Sequence, residues 1–150
     1  MPESRFPLST QSRRQLETVI RLLTLWGLSH AQQAQVLGLT VRGLRRVLRG
    51  PPSPPLSWEQ NDRLRLTADI LAALLTLYSP DSVNGWFTRP NGRDPFHGQR
   101  PLTFVLEGGF PALLATHRLL SGDLSGQFSA TPEARALARQ LPQLPIELDE

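Results

Sequence analysis

Every long apolar pattern in this chain repeats at three and four residues, and no run alternates residue by residue. That spacing lines apolar side chains along one face of a helix, whereas a half-buried strand needs a period of two. Leu16, Val19, Ile20, Leu23 and Trp26 make the first stripe, with Ser12 and Gln15 expected as a capping box ahead of it. A second, short helix is expected from Ser29, with Gln32 three residues on, and Gly38 stops it. Thr40 caps a third that runs to Gly50. The expected fold class is all-α.

The run PPSPP at 51–55 ends that third helix, because proline removes backbone donors and holds the chain extended. It is the one plausible domain boundary, which divides the chain into residues 1–50, a linker at 51–57, a second region at 58–129 and an extension at 130–150. Ser57 and Gln60 open the longest helix, Trp58 to Tyr78. Its second half, DILAALLTLY, is apolar on nearly every face, so it must be covered on more than one side, by a core or by a second subunit. Pro80 suits the first turn of a helix ending near Thr88, and 89–100 reads as a polar Gly/Pro loop. Pro101 and Pro111 each open a short helix, separated by Gly108 and Gly109. Thr131-Pro132-Glu133 starts a last helix with Ala134, Leu137, Ala138 and Leu141 as its stripe, and an extended or disordered end follows Pro142.

Hydrophobic residues make up 39% of the chain, enough for a core and against wholesale disorder. No stretch approaches the roughly 18 consecutive apolar residues of a membrane span, and the N-terminal MPESRFPLST lacks the apolar region of a secretory signal, so a cytoplasmic location is expected. With no cysteine there is no disulfide, no thiolate nucleophile and no cysteine-type zinc site. All 16 basic residues are arginine. Residues 1–50 hold eight of them against Glu3 and Glu17, a balance of +6, whereas 51–129 carry −1 and 130–150 carry −2. A basic first third on an otherwise slightly acidic chain points to a nucleic-acid face at one end.

Chemistry is poorly represented. His30, His97 and His117 lack the HxxxH or carboxylate spacing of a metal helix, so no metal or cofactor is expected. His117, beside Leu113, Leu114 and Leu120, reads as a partly buried core or interface histidine. Glu107-Gly108-Gly109 resembles a phosphate nest, but a helix C-cap explains both glycines. Neither a GxSxG elbow, nor a P-loop, nor a carboxylate pair occurs, so no catalytic residue is assigned and no enzyme is expected.

The segment LSHAQQAQVLGLTVRGLRRVLRG, residues 28–50, has the spacing of a helix-turn-helix. Ala34 supplies the small residue where two helices cross, and Gly38, four residues on, tolerates the positive φ of the turn. Leu44 and Val47 then face inward, while Arg42, Arg45, Arg46 and Arg49 face out, within reach of bases and phosphates after the Thr40 cap. A plain helical hairpin with a solvated arginine face has the same spacing. The local charge favours DNA binding through Thr40, Arg42, Arg45, Arg46 and Arg49.

Downstream, Trp86-Phe87, Arg89-Pro90-Asn91, Phe96-His97-Gly98, Pro101-Leu102 and Gly126-Gln127-Phe128-Ser129 occur in that order. In this combination the chain resembles, over about residues 12–129, the Xre/MbcA/ParS family of type II antitoxins. The resemblance implies a helix-turn-helix bundle followed by a small helical toxin-binding and dimerisation domain. It further implies a protein that neutralises a RES-domain, NAD-consuming toxin by occluding its active site and binds its own promoter DNA, as a homodimer or in a higher hetero-oligomer with the toxin. Trp86, Arg89, Asn91, Arg93, Arg100, Gln127, Phe128 and Ser129 would then meet the toxin. From the residues themselves, Trp86 and Phe87 suit a core equally well, and arginines in one loop suit an acidic or phosphate-bearing cleft or plain solvent. The chain departs from the family pattern in two places: the loop between Asn91 and Gly98 is a couple of residues longer and carries Arg93-Asp94-Pro95, and residues 130–150 follow the closing Ser129. A solitary transcriptional regulator without a toxin is the alternative.

Overall fold

The computed structural model describes the backbone of residues 5–6, 10–52 and 55–129 and the side chains of 10–52 and 55–126. The helix expected from Thr131 and the extended end after Pro142 lie outside the described residues, as do the side chains of Gln127, Phe128 and Ser129.

The regular elements among the described residues are helical apart from one two-residue ladder. In order they form α1 (Thr10–Leu25), α2 (His30–Leu37), α3 (Val41–Leu48), α4 (Trp58–Leu77), α5 (Pro80–Val83), a 3-10 turn (Trp86–Thr88) and α6 (Pro101–Ser129). The ladder pairs β1 (Arg5–Phe6) antiparallel with β2 (Leu56–Ser57), Arg5 opposite Ser57 and Phe6 opposite Leu56. It joins the segment before α1 to the segment before α4. No periodic run announces it, because two residues per strand are too few to show a period.

Local rules account for most helix boundaries. Ser29 and Ser57 each form a full capping box, with Gln32 and Gln60 returning the bond to the cap backbone. Ser12 does not start α1: the helix is already formed at Thr10, so Ser12 is an interior residue. Past Pro80 the chain makes a single α turn capped by Ser79, then the separate 3-10 turn, in place of one helix reaching Thr88. α6 contains the two expected helices run together. At Gly109, φ +66 and ψ −146 break it, and Pro111 opens the second arm, where a missing N–H costs least. Gly108 is needed for a different reason, since a Cβ there would lie 2.5 Å from that of Ala112.

One core runs through the molecule on both sides of the Pro-rich segment. Leu16, Ile20 and Leu23 of α1, Leu37 of α2 and Leu44 of α3 join Leu64, Ile70, Leu71 and Leu74 of α4 and Leu113 of α6 in a single buried cluster. α4 is its axis and packs against α1, α2 and α6. The apolar second half of α4 is thus largely covered from within one chain: Ile70, Leu71, Ala73 and Leu74 are buried. Ala72 and Leu75 stay exposed and, with Leu22 and Ala68, line an open groove of about 420 Å3 between α1 and α4. Among the described residues no helix is long and apolar enough to cross a membrane.

Candidate nucleic-acid interface

α2 and α3 meet through the turn at 38–40. Gly38 adopts φ +70, ψ 25, and the Leu39 N–H reaches back to the Ala34 carbonyl at 2.8 Å, so the orphan carbonyls at the end of α2 are taken up. Thr40 is extended, and its Oγ1 accepts from the Gly43 N–H at 2.9 Å, which starts α3 at Val41. Ala34 is buried at the crossing, and Leu44 and Val47 are 0% exposed. Their burial fixes the rotation of α3 and turns Arg42, Arg45, Arg46 and Arg49 outward, all four exposed.

Helical spacing sets these arginines in two i, i+4 ridges, Arg42 with Arg46 and Arg45 with Arg49. None of the four is paired with a carboxylate among the described residues, in contrast to Arg13, whose Nη1 lies 2.6 Å from Glu17. Arg42 and Arg46 also border a cleft of about 300 Å3 with Thr40, Gly43, Pro55 and Gln60. A convex helix carrying unpaired guanidinium groups beside a concave cleft suits a phosphate backbone, and guanidinium forks match guanine edges in a major groove.

The motif is also tied to the rest of the chain by contacts that the sequence reading did not foresee. Gln60 Nε2 donates to the Gly38 carbonyl at 2.9 Å, and Arg63 Nη1 donates to the Val36 carbonyl at 3.1 Å. Gln35 Nε2 donates to the Leu106 carbonyl in α6 at 3.0 Å. Gln33, fully buried, donates to Thr24 Oγ1 at 2.8 Å and to the Leu28 carbonyl at 2.9 Å, tying the end of α1 to α2. These partners lie 5 to 71 residues away in the chain, and no local spacing reveals them.

The second candidate surface is the loop 89–100. Trp86, 6% exposed, is a core residue: its ring meets Phe87 and Phe96 edge-on at 5.1 and 5.7 Å, and Phe96 meets Phe104 at 5.3 Å. It supports the loop from beneath and presents little surface to a partner. Asn91 closes the loop: its N–H donates to the Gln99 carbonyl, its carbonyl accepts from Gly98, and its Oδ1 accepts from the Arg93 N–H at 2.9 Å. Arg89 is exposed, and its guanidinium donates to the Ser82 carbonyl. Arg93 reaches across to α6 and grips Asp123 with both Nη atoms at 2.7 and 3.0 Å; that bond holds its pKa above the ordinary arginine value. Arg100 accepts the Phe104 N–H through its carbonyl, and its side chain is exposed with no partner among the described residues. His117 is half-buried, 3.0 Å from Asp69, and His97 pairs with Asp94 at 2.8 Å. Among the described residues no three His, Asp or Glu come together where they could hold a metal. No family model matches the chain, and neither a curated protein nor a solved structure matches it.

Proposed function

We propose that this chain is a DNA-binding antitoxin that uses α2 and α3 to bind its own promoter and the region after Trp86 to neutralise a RES-domain toxin. The observation that carries the DNA-binding half is the exposed set Arg42, Arg45, Arg46 and Arg49, unpaired among the described residues, on a helix whose inner face is pinned by Leu44 and Val47. A plain solvated hairpin gives no reason for four arginines and no acid over residues 41–50. The antitoxin half rests on the resemblance carried by Trp86-Phe87, Arg89-Pro90-Asn91 and the closing Gly126 to Ser129. It is supported by a loop braced on its inner side, with the Arg100 side chain exposed and without a partner among the described residues.

In this reading the protein acts by binding and occlusion and turns over no substrate. It works as a homodimer, which places two recognition helices on a two-fold operator. The groove between α1 and α4, lined by Val19, Leu22, Ala68, Leu71 and Ala72 with Leu75 52% exposed, is the apolar surface offered for self-association. Light scattering on the full chain is expected to give a dimer, and Leu75→Glu a monomer with weaker DNA binding.

The deciding experiment pairs fluorescence anisotropy on DNA upstream of the reading frame with co-expression of an adjacent RES-domain frame. Salt-dependent binding and co-purification with rescued growth support the whole proposal. Binding to DNA without any toxin association leaves a solitary regulator.

A further inference from the structure

The groups outside the helix-turn-helix that touch its turn form a connected set, and the set ends at the break in α6. Arg63 is its centre. Its guanidinium donates through Nη1 to the Val36 carbonyl and through Nε to Glu59 at 2.9 Å, lies 5.6 Å from the centroid of the Phe110 ring, and is largely buried, with a side chain 12% exposed. Its Cδ stands 3.0 Å from where a Cβ on Gly38 would be. Gly38 thus serves twice: its positive φ suits glycine, and a Cβ there would press on the Arg63 side chain. Phe110 directly follows Gly109, where α6 breaks, and Leu106, three residues before the break, accepts from Gln35 of α2. The two sides of the break thus bear on the same short stretch of α2, one through a backbone carbonyl and one through an aromatic face under a cation.

We infer that Arg63 and Phe110 are positioning residues for DNA binding: the pair clamps the end of α2 against the broken α6 and thereby sets the angle at which α3 is presented. The inference rests on the proposed DNA-binding role of α3 and adds that affinity is set in part from α4 and α6. Arg63 is largely buried against the end of α2 and its guanidinium is engaged by Val36 and Glu59, so it is assigned to act through α2 and not as a DNA contact. Loss of the clamp leaves the charges of α3 in place but spreads its orientation, which lowers affinity in proportion to the competent fraction.

Hydrogen exchange and DNA titration on the full chain test this in parallel. Arg63→Ala and Phe110→Leu are expected to speed amide exchange across residues 38–44 about tenfold while α1 keeps its protection, the effect of losing about one or two hydrogen bonds' worth of local stability. Phe110→Trp, which retains a ring face, is expected to keep wild-type exchange. Affinity for the upstream DNA falls about tenfold in the first two variants with an unchanged slope of log affinity against log salt. Wild-type exchange across 38–44 in Arg63→Ala overturns the inference. So does a Trp variant as loose as the Leu variant, or a salt slope smaller by about one, which would make Arg63 a phosphate contact. If the unmodified chain binds no DNA, the proposed function fails, and the exchange measurement decides the clamp by itself.

Discussion

The arginines of α3 and those of loop 89–100 are the same residue used in opposite ways. On α3, Arg42, Arg45, Arg46 and Arg49 stand in water with no acceptor among the described residues. In the loop, Arg89 and Arg93 are spent on the protein itself, one on the Ser82 carbonyl and one on Asp123. Free guanidinium groups on a rigid helix are available to an external anion. Guanidinium groups engaged at home instead hold a loop in shape, and whatever the loop recognises must be met by what is left over, chiefly Arg100. A count of arginines along the chain does not separate these uses, whereas their acceptors do.

The sharpest way to break the comparison is to remove what aims the α3 arginines. Leu44, 0% exposed beneath them, is expected to cost about 2–5 kcal/mol as Leu44→Ala, read as a fall in the chemical-denaturation midpoint. Next in size, Arg45→Ala and Arg46→Ala should each weaken DNA binding about tenfold to a hundredfold at unchanged melting temperature. A residue that contacts phosphate also lowers the salt slope by about one, which separates base reading from charge. Wild-type binding by both variants would make the motif a structural hairpin.

For the loop, a double-mutant cycle on Arg93→Ala and Asp123→Ala should give a coupling of about 1 kcal/mol or less, since both groups face water, and it should shrink in high salt. Zero coupling would mean that the bidentate contact braces nothing. The smallest effect is expected from Arg100→Ala, with stability within about 0.5 kcal/mol of wild type. If Arg100 is the loop's free hand, the same variant loses toxin neutralisation in a growth assay while its melting curve stays put.

The two regions also differ in how far the sequence reveals them. Ser29 with Gln32, Gly38 and Thr40 specify the ends of α2 and α3 within a dozen residues, because a cap needs only its own turn and a positive φ only its own residue. The break between the arms of α6 was legible for the same reason, in Gly109 and Pro111. Ser12 shows the limit of that logic, since the capping pattern is present but lies inside α1. Trp86 shows another. Its neighbours alone suit both a core and a contact surface, and only Phe87 and Phe96 packing edge-on against it, with Phe104 behind Phe96, put it inside.

By itself, then, the sequence determined the helical class, most helix ends, the inward Leu44 and Val47 and the outward arginines of α3, all set by periods of three and four and by single-residue backbone preferences. Only the tertiary structure decided that both sides of the Pro-rich segment share one core, that Arg93 closes on Asp123 30 residues away, and that Gln60 and Arg63 reach back 22 and 27 residues to the turn. A hydrogen bond depends on where two atoms lie in space, and chain separation carries no trace of that. The apolar half of α4 required cover on several sides from its composition alone. Which faces the chain covers for itself, leaving Ala72 and Leu75 open, depended on where α1 and α6 came to pack.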